Sequence, residues 1–206
     1  MVLISALLED FLTVLITIFV AELTDKDALL LLALATKIKP WTAFASGSLA
    51  FTLTTTIIVS IGVVLTEFVP VNLIKIAGGV IMIGFVLHSY VTERKKERAA
   101  ITEDERLLGR HGNKSVCGVF LGAVGMLMVL DLAGDATEVL TIVYVARFQN
   151  ALLVFSGCVA ALVSASAVET LIGNKLSRVL SVSKIRYLSL GIFLIIGSVI
   201  ILTTLF

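Results

Sequence analysis

The sequence predicts an all-α integral membrane protein with six transmembrane helices, arranged as two inverted three-helix repeats. Apolar residues make up 58% of the 206-residue chain, and the mean hydropathy is +1.08, whereas soluble domains are about 45–50% apolar. The apolar residues are grouped into segments long enough to cross a bilayer, which takes ~20 residues in a helix. Two acidic groups lie inside these segments at matching places in the two halves of the chain.

Turn and charge signals set the limits of the six spans. Helices are expected throughout, because a backbone in lipid must satisfy its own hydrogen bonds. Pro40 and Pro70 mark two of the boundaries, and a charged stretch separates the third span from the fourth. The predicted spans cover residues 2–36, 41–65, 73–90, 116–146, 151–172 and 185–205.

An internal repeat accounts for the number of spans. A shift of 110 residues places Asp25 over Asp135 and Gly47 over Gly157. Three spans in each half reverse the second half relative to the first, as in the inverted repeats of secondary transporters. The predicted organisation is a first three-helix repeat at 1–92, a charged loop at 93–114 and a second three-helix repeat at 115–206.

Basic residues indicate the orientation in the membrane. If the N-terminus is outside, 13 of the 16 Lys and Arg residues face the cytoplasm, as the positive-inside rule requires. We therefore expect both termini outside and loop 93–114 in the cytoplasm. The first basic residue is Lys26, so the N-terminus does not resemble a signal peptide. The compact size and this N-terminus favour a prokaryotic cell membrane.

Six carboxylates form two acidic groups, one in the first span and one in the fourth. A carboxylate at the bilayer centre costs roughly 2.5–3.5 kcal/mol on insertion scales, so such residues are rare without a role. Both spans are much longer than the ~20 residues of a straight crossing, and we predict that each helix is bent or broken at its acidic group. The first group is Glu22, Asp25 and Asp27, and the second is Asp131, Asp135 and Glu138.

The spacing of these acids predicts a cation site. Residues three or four apart share a helix face, which groups Glu22 with Asp25, and Asp131 with Asp135 and Glu138. Two such faces brought together would supply five carboxylates, a ligand set that suits hard cations such as Ca²⁺ or Mn²⁺. Neither motif contains His or Cys, which disfavours Zn²⁺ and Cu⁺. Buried, clustered carboxylates also retain protons, which an arriving cation can displace.

Secondary candidates accompany the five carboxylates. Asp27 is predicted to point away from the shared face and to pair with Lys26. Thr24 and Thr137 can satisfy backbone groups freed by a helix break. Glu169 is a further carboxylate in the fifth span, with an interfacial position as the alternative. The many hydroxyl side chains of the second and fifth spans are more typical of helix packing than of pathway lining.

At its two acidic motifs the chain resembles the Mn²⁺/Ca²⁺–proton exchangers of the transmembrane protein 165 family, also called the Gdt-type family, which has Golgi, chloroplast and bacterial members. Members of that family carry the motif E-x-G-D-[KR]-[ST] once in each half of the chain. The corresponding segments here read ELTDKD at 22–27 and LAGDAT at 132–137. The resemblance extends into the following spans and covers most of the chain except loop 93–114.

The resemblance implies roles for individual residues. Glu22 and Asp25 match the first acidic pair of the family, and Asp135 matches the aspartate of the second motif. The second copy departs from the motif, with leucine at position 132 where the family has glutamate. Asp131 and Glu138 lie one turn before and one turn after Asp135, and we expect them to supply the missing charge.

The leading hypothesis is a secondary active transporter that exchanges Mn²⁺ or Ca²⁺ for protons by alternating access. One alternative is an exporter of another ion or of a small organic solute with the same topology. Another is a membrane-embedded metal-dependent enzyme, since Asp131 and Asp135 have the D-x-x-x-D spacing of head-group transferases, but the D-x-x-D-G part of that motif is missing. We expect no enzyme activity and no resident cofactor.

The expected partners are the transported cation, protons and the lipid bilayer. Nucleic acid is not expected, because no basic cluster with interleaved aromatic residues occurs in the chain. A monomer and a homo-oligomer are both compatible with the sequence.

Overall fold

The computed structural model describes residues 2–23, 28, 31–32, 34–35, 38–92, 116–132, 136–179 and 182–205. This part of the chain contains helices and no strands. The helices are α1 (Val2–Glu22), α2 (Pro40–Phe68), α3 (Val71–Thr92), α4 (Val116–Asp131), α5 (Ala136–Phe148), α6 (Ala151–Val179) and α7 (Val182–Leu205).

Four of the predicted spans correspond to single helices. Helices α2, α3, α6 and α7 cover the second, third, fifth and sixth spans, and α6 continues beyond the predicted limit at residue 172. Pro40 is the first residue of α2, where its missing N–H and fixed φ suit a helix start. Loop 93–114 lies outside the described residues, so the proposed division of the chain around it stays a prediction.

The first and fourth predicted spans are divided at their acidic motifs. Helix α1 ends at Glu22, although Leu31 and Leu34 further along are again helical. Helix α4 ends at Asp131 and α5 begins at Ala136. The predicted interruption of the fourth span is therefore confirmed.

Three described helices are long and apolar enough to cross a membrane: Ile4–Glu22, Pro40–Phe68 and Ala151–Leu171. Shorter apolar segments lie in α3, α4 and α7. Large apolar side chains such as Leu8, Ile16 and Ile61 are exposed on the outer surface of the bundle. A bundle with an apolar exterior is expected where the solvent is lipid.

Helix α5 occupies the interior of the bundle. It has 13 residues, which gives a length of ~20 Å, shorter than the ~30 Å hydrocarbon layer of a bilayer. Nine of its residues are buried, because α1, α2, α3 and α6 all pack against it. The core of the protein is thus formed around a short helix that begins just after the second acidic motif.

Helix directions follow from specific contacts. Gly47 of α2 approaches Ser166 of α6, while Thr54 and Leu162 of the same two helices line one cavity. From the first contact to the second, the residue number rises on α2 and falls on α6. These two helices are therefore antiparallel. Helix α1 packs on α6, and α4 packs on α2.

Most hydroxyl side chains within the spans bond to their own helix. Thr52 donates to the Ser48 carbonyl at 2.6 Å, and Ser164 donates to the Ala160 carbonyl at 2.6 Å. Bonds of this kind satisfy a hydroxyl where no water is available. They agree with the packing role that the sequence favours for most of these residues.

The crossing of α3 and α7 depends on glycine. A Cβ atom at Gly79 would lie 2.6 Å from Ile201 Cγ1 and 2.9 Å from the carbonyl oxygen of Gly197. Small residues at such crossings let two backbones approach closely in the absence of a hydrophobic driving force.

Replacement of Gly79 by alanine should therefore destabilise the bundle, because the backbone of Gly197 cannot move out of the way as a flexible side chain could. We expect a loss of about 1–3 kcal/mol, the usual cost of overpacking, seen as a lower melting temperature in detergent. Gly84→Ala on the same helix is the matched control, since a Cβ there meets nothing within 4 Å. Equal melting temperatures for the two variants would contradict this account of the crossing.

Candidate cation site

A small cavity lies where α1, α2, α4, α5 and α6 meet. Its volume of about 20 Å³ is enough for one water molecule. Two carboxylates and four threonines supply its polar surface, and three aliphatic side chains complete the wall. The lining residues are Ile18, Thr54, Thr55, Ile58, Asp131, Thr137, Glu138, Thr141 and Leu162.

The interruption after α4 brings the two carboxylates together. Asp131 is the last residue of α4, and Glu138 lies in the first turn of α5. The spacing argument placed both acids on one helix face, and the structure places them on two separate helices, at the end of α4 and at the start of α5. The two acids nevertheless line the same cavity, since α5 begins beside the end of α4.

Helix ends shape the electrostatics of this region. Glu138 lies near the N-terminus of α5, where unpaired N–H groups stabilise a negative charge. Asp131 ends α4 and Glu22 ends α1, and each therefore lies where carbonyl groups carry partial negative charge. A cation beside these two carboxylates is favoured both by the side chain and by the helix end.

Asp131 is held by a partner from the first half of the chain. Its carboxylate is 5% exposed and accepts a hydrogen bond from the hydroxyl of Thr54. Thr54 lies at the middle of the 29-residue helix α2. The contact places Asp131 level with the centre of a helix long enough to cross the membrane.

Glu22 lies one helical turn beyond a residue of the cavity wall. It is 1% exposed and follows Ile18 by one turn on α1, so the two side chains share a face. Ile18 lines the cavity and Glu22 does not. Glu22 is thus buried next to the cavity, on the side of the first acidic motif.

Residues 24–27 of the first motif and 133–135 of the second lie outside the described part of the chain. Two of the five predicted ligands, Asp25 and Asp135, are among them. The secondary candidates Thr24, Lys26 and Asp27 also lie outside the described residues, whereas Thr137 is buried and lines the cavity. Within the described ranges no three Asp, Glu, His or Cys residues form a group that could hold a metal ion.

Glu169 is buried within the bundle, close to the end of the apolar segment Ala151–Leu171 of α6. It is 4% exposed and follows the cavity residue Leu162 by two turns on α6. Val14 of α1 contacts Gly157 of α6, and Ile18 and Leu162 share the cavity, so α1 and α6 run in parallel. The end of α1 at Glu22 is therefore level with the part of α6 that carries Glu169.

A polar stripe on α5 extends the site beyond the predicted acids. Thr141 follows Thr137 by one turn and donates to its carbonyl at 2.8 Å, and the Tyr144 hydroxyl donates to Thr17 of α1 at 2.8 Å. Sequence reasoning missed Thr141 and Tyr144. Their spacing from Glu138 at three and six residues, on a helix, was the available signal.

Buried carboxylates at helix ends, enclosed by apolar membrane helices, are features of ion-transport proteins. A family model described as divalent cation/proton antiporter GDT1 matches residues 10–97 and 119–205. The chain therefore belongs to the GDT1 family of integral membrane antiporters. No curated protein and no solved structure matches the chain.

The family match confirms the resemblance seen in the acidic motifs. The same model matches twice, starting at residues 10 and 119, close to the shift of 110 residues between the motifs. The two halves are therefore repeats of one another in sequence. A family of transporters also agrees with the expectation that the protein is not an enzyme.

Loss of either cavity carboxylate should weaken cation binding. Asp131→Asn and Glu138→Gln keep the side-chain volume but remove a charge, and we expect Mn²⁺ binding to weaken at least ~10-fold, equivalent to about 1.4 kcal/mol. Calorimetry on detergent-purified protein measures this. Glu67→Gln, at an exposed acid near the end of α2, is the control. Wild-type Mn²⁺ affinity in both cavity variants would show that these carboxylates do not bind the cation.

Proposed function

We propose that the protein exchanges Mn²⁺ or Ca²⁺ for protons by alternating access, with the cation bound between the two repeats. Membership of a divalent cation/proton antiporter family supports the general activity. The proposed location of the cation site is based on one contact. Asp131, at the break of the second repeat, is bonded to Thr54, in the middle of a helix of the first repeat. Each repeat thereby contributes to one buried cavity.

The proposed ligands are Glu22, Asp25, Asp131, Asp135 and Glu138. Asp131 and Glu138 support this set because both line the cavity, and Glu22 supports it because it is buried one turn beyond the cavity residue Ile18. Thr137 and Glu169 are proposed to assist, the first from the cavity wall and the second from the neighbouring part of α6.

The choice of cation rests on the chemistry of the cavity wall. Its described polar groups are carboxylate and hydroxyl oxygens. Oxygen ligands suit hard divalent cations such as Ca²⁺ and Mn²⁺, whereas Zn²⁺ and Cu⁺ favour nitrogen and sulfur.

Proton coupling follows from competition for the same oxygens. Carboxylates that share a small, water-poor cavity cannot all be ionised without a counter-charge. Protons supply that counter-charge in the absence of the cation. An arriving divalent cation replaces them, so that each binding event releases protons without a separate proton path.

Alternating access is supported by the way the repeats pack. Under the shift of 110 residues α1 corresponds to α4, and α2 corresponds to α6. The contact of α1 with α6 is therefore the counterpart of the contact of α4 with α2, and both are present. The antiparallel course of α2 and α6 fits an inverted two-fold relation, about which the repeats could rock around the site.

The two motif aspartates should be essential for exchange. Asp25→Asn and Asp135→Asn retain volume and hydrogen bonding but remove a charge each, so we expect folded protein with no exchange. The measurement is proton release on addition of Mn²⁺ or Ca²⁺ to proteoliposomes containing a pH-sensitive dye. Glu67→Gln should exchange normally. Normal exchange by both Asn variants would show that the motif aspartates do not form the site.

The topology proposed from the basic residues has both termini outside. Alkaline phosphatase is active only outside the cytoplasm, so a fusion after residue 206 should be active in bacterial cells, while a fusion at residue 100 in the charged loop should be inactive. A fluorescent protein that matures only in the cytoplasm should give the opposite pattern. The reverse result would invert the proposed orientation.

A further inference from the structure

The hydroxyl of Thr54 has three oxygen neighbours that can accept its proton. It donates to Oδ2 of Asp131, and it lies 3.2 Å from the carbonyl oxygens of both Ala50 and Phe51 on its own helix. A hydroxyl has one proton to donate and two lone pairs that can accept or coordinate. Thr54 is 1% exposed, so its partner is one of these protein groups.

We propose that Thr54 is a cation ligand whose hydroxyl changes partner during transport. Without a cation in the cavity, Thr54 donates to Asp131. When a divalent cation binds to Asp131, the hydroxyl proton turns to the Ala50 or Phe51 carbonyl, and the hydroxyl oxygen coordinates the cation. This assignment rests on the cavity being the cation site, as proposed above.

The hydroxyl proton can change partner by rotation about the C–O bond of Thr54. A cation beside Asp131 repels the hydroxyl proton and attracts the hydroxyl oxygen. In most buried positions the displaced proton would find no other acceptor, and a buried donor without an acceptor is unfavourable. Here the two carbonyl oxygens at 3.2 Å accept it, in the way that threonine side chains commonly bond to the preceding helical turn.

Thr141 in the cavity wall and Ser164, the counterpart of Thr54, have different neighbours. Thr141 donates to the Thr137 carbonyl and has the Cys158 sulfur at 3.6 Å as its other neighbour. Ser164, which the 110-residue shift places over Thr54, is exposed and bonded to Ala160. The partner change is therefore a property of the first repeat, in which a buried hydroxyl faces a carboxylate of the second.

The test replaces the hydroxyl with a thiol. Thr54→Cys, Thr54→Ser and Thr54→Val are compared with Thr52→Cys, a control on the same helix whose native hydroxyl bonds to Ser48. Binding of Ca²⁺, Mn²⁺ and Cd²⁺ is measured by calorimetry on the detergent-purified protein, and exchange is measured in proteoliposomes. The natural cysteines Cys117 and Cys158 are present in every variant, so only differences between variants are interpreted.

A ligand role predicts a change of metal preference. A thiol is a soft ligand that favours Cd²⁺ over Ca²⁺, so Thr54→Cys should raise the ratio of Cd²⁺ to Ca²⁺ affinity at least ~10-fold. Thr54→Val should weaken Ca²⁺ and Mn²⁺ binding ~10-fold or more, and Thr54→Ser should stay within ~3-fold of the parent. Thr52→Cys should leave the metal preference unchanged.

Two results would overturn the inference and leave the proposed function intact. One is an unchanged preference in Thr54→Cys although Asp131→Asn loses cation binding, which would make Thr54 a positioning residue only. The other is equal impairment in the serine and valine variants, which would indicate a packing effect. If Asp131→Asn binds and exchanges cations like the parent, the proposed location of the site at Asp131 fails, whereas a parent protein that exchanges no divalent cation would refute the proposed function itself.

Discussion

The need to keep carboxylates inside an apolar bundle governs this structure. Helices α1 and α4 end at a buried acid, Glu22 and Asp131 respectively, and α5 begins with Glu138 in its first turn. Helix ends provide the only backbone dipoles that are not cancelled within a membrane helix. The break that creates them leaves α5 too short to span a bilayer, and the surrounding helices must therefore bury it.

The two repeats match one family model but differ at their acidic motifs. One family model matches both halves, and corresponding helices make corresponding contacts. The second motif nevertheless has leucine at position 132, and the acid next to it, Asp131, is paired with Thr54 from the first repeat. Because the proposed site draws on both halves, a charge that is missing from one motif can be supplied by the adjacent Asp131 in the cavity wall.

Glycines allow neighbouring segments to pack closely at corresponding positions of the two halves. Gly47 and Gly157 occupy corresponding positions, and a Cβ at either would come within 3 Å of a neighbouring side chain, that of Leu31 or of Val14. Small residues permit such close approach between membrane helices. The described hydroxyls within these helices are mostly bonded to their own backbone, so they add few specific bonds between helices.

The sequence by itself determined the class of protein, the limits of most spans, the repeat and the acidic motifs, because hydropathy, charge and spacing are local properties. It also indicated the break in the fourth span from its excess length. Only the tertiary structure decided that Asp131 and Glu138 reach one cavity from separate helices, and that Thr54 rather than its neighbour Thr52 meets a carboxylate. Those results depend on how α2, α4 and α5 cross, and crossing positions arise from packing between distant segments, which no local pattern encodes.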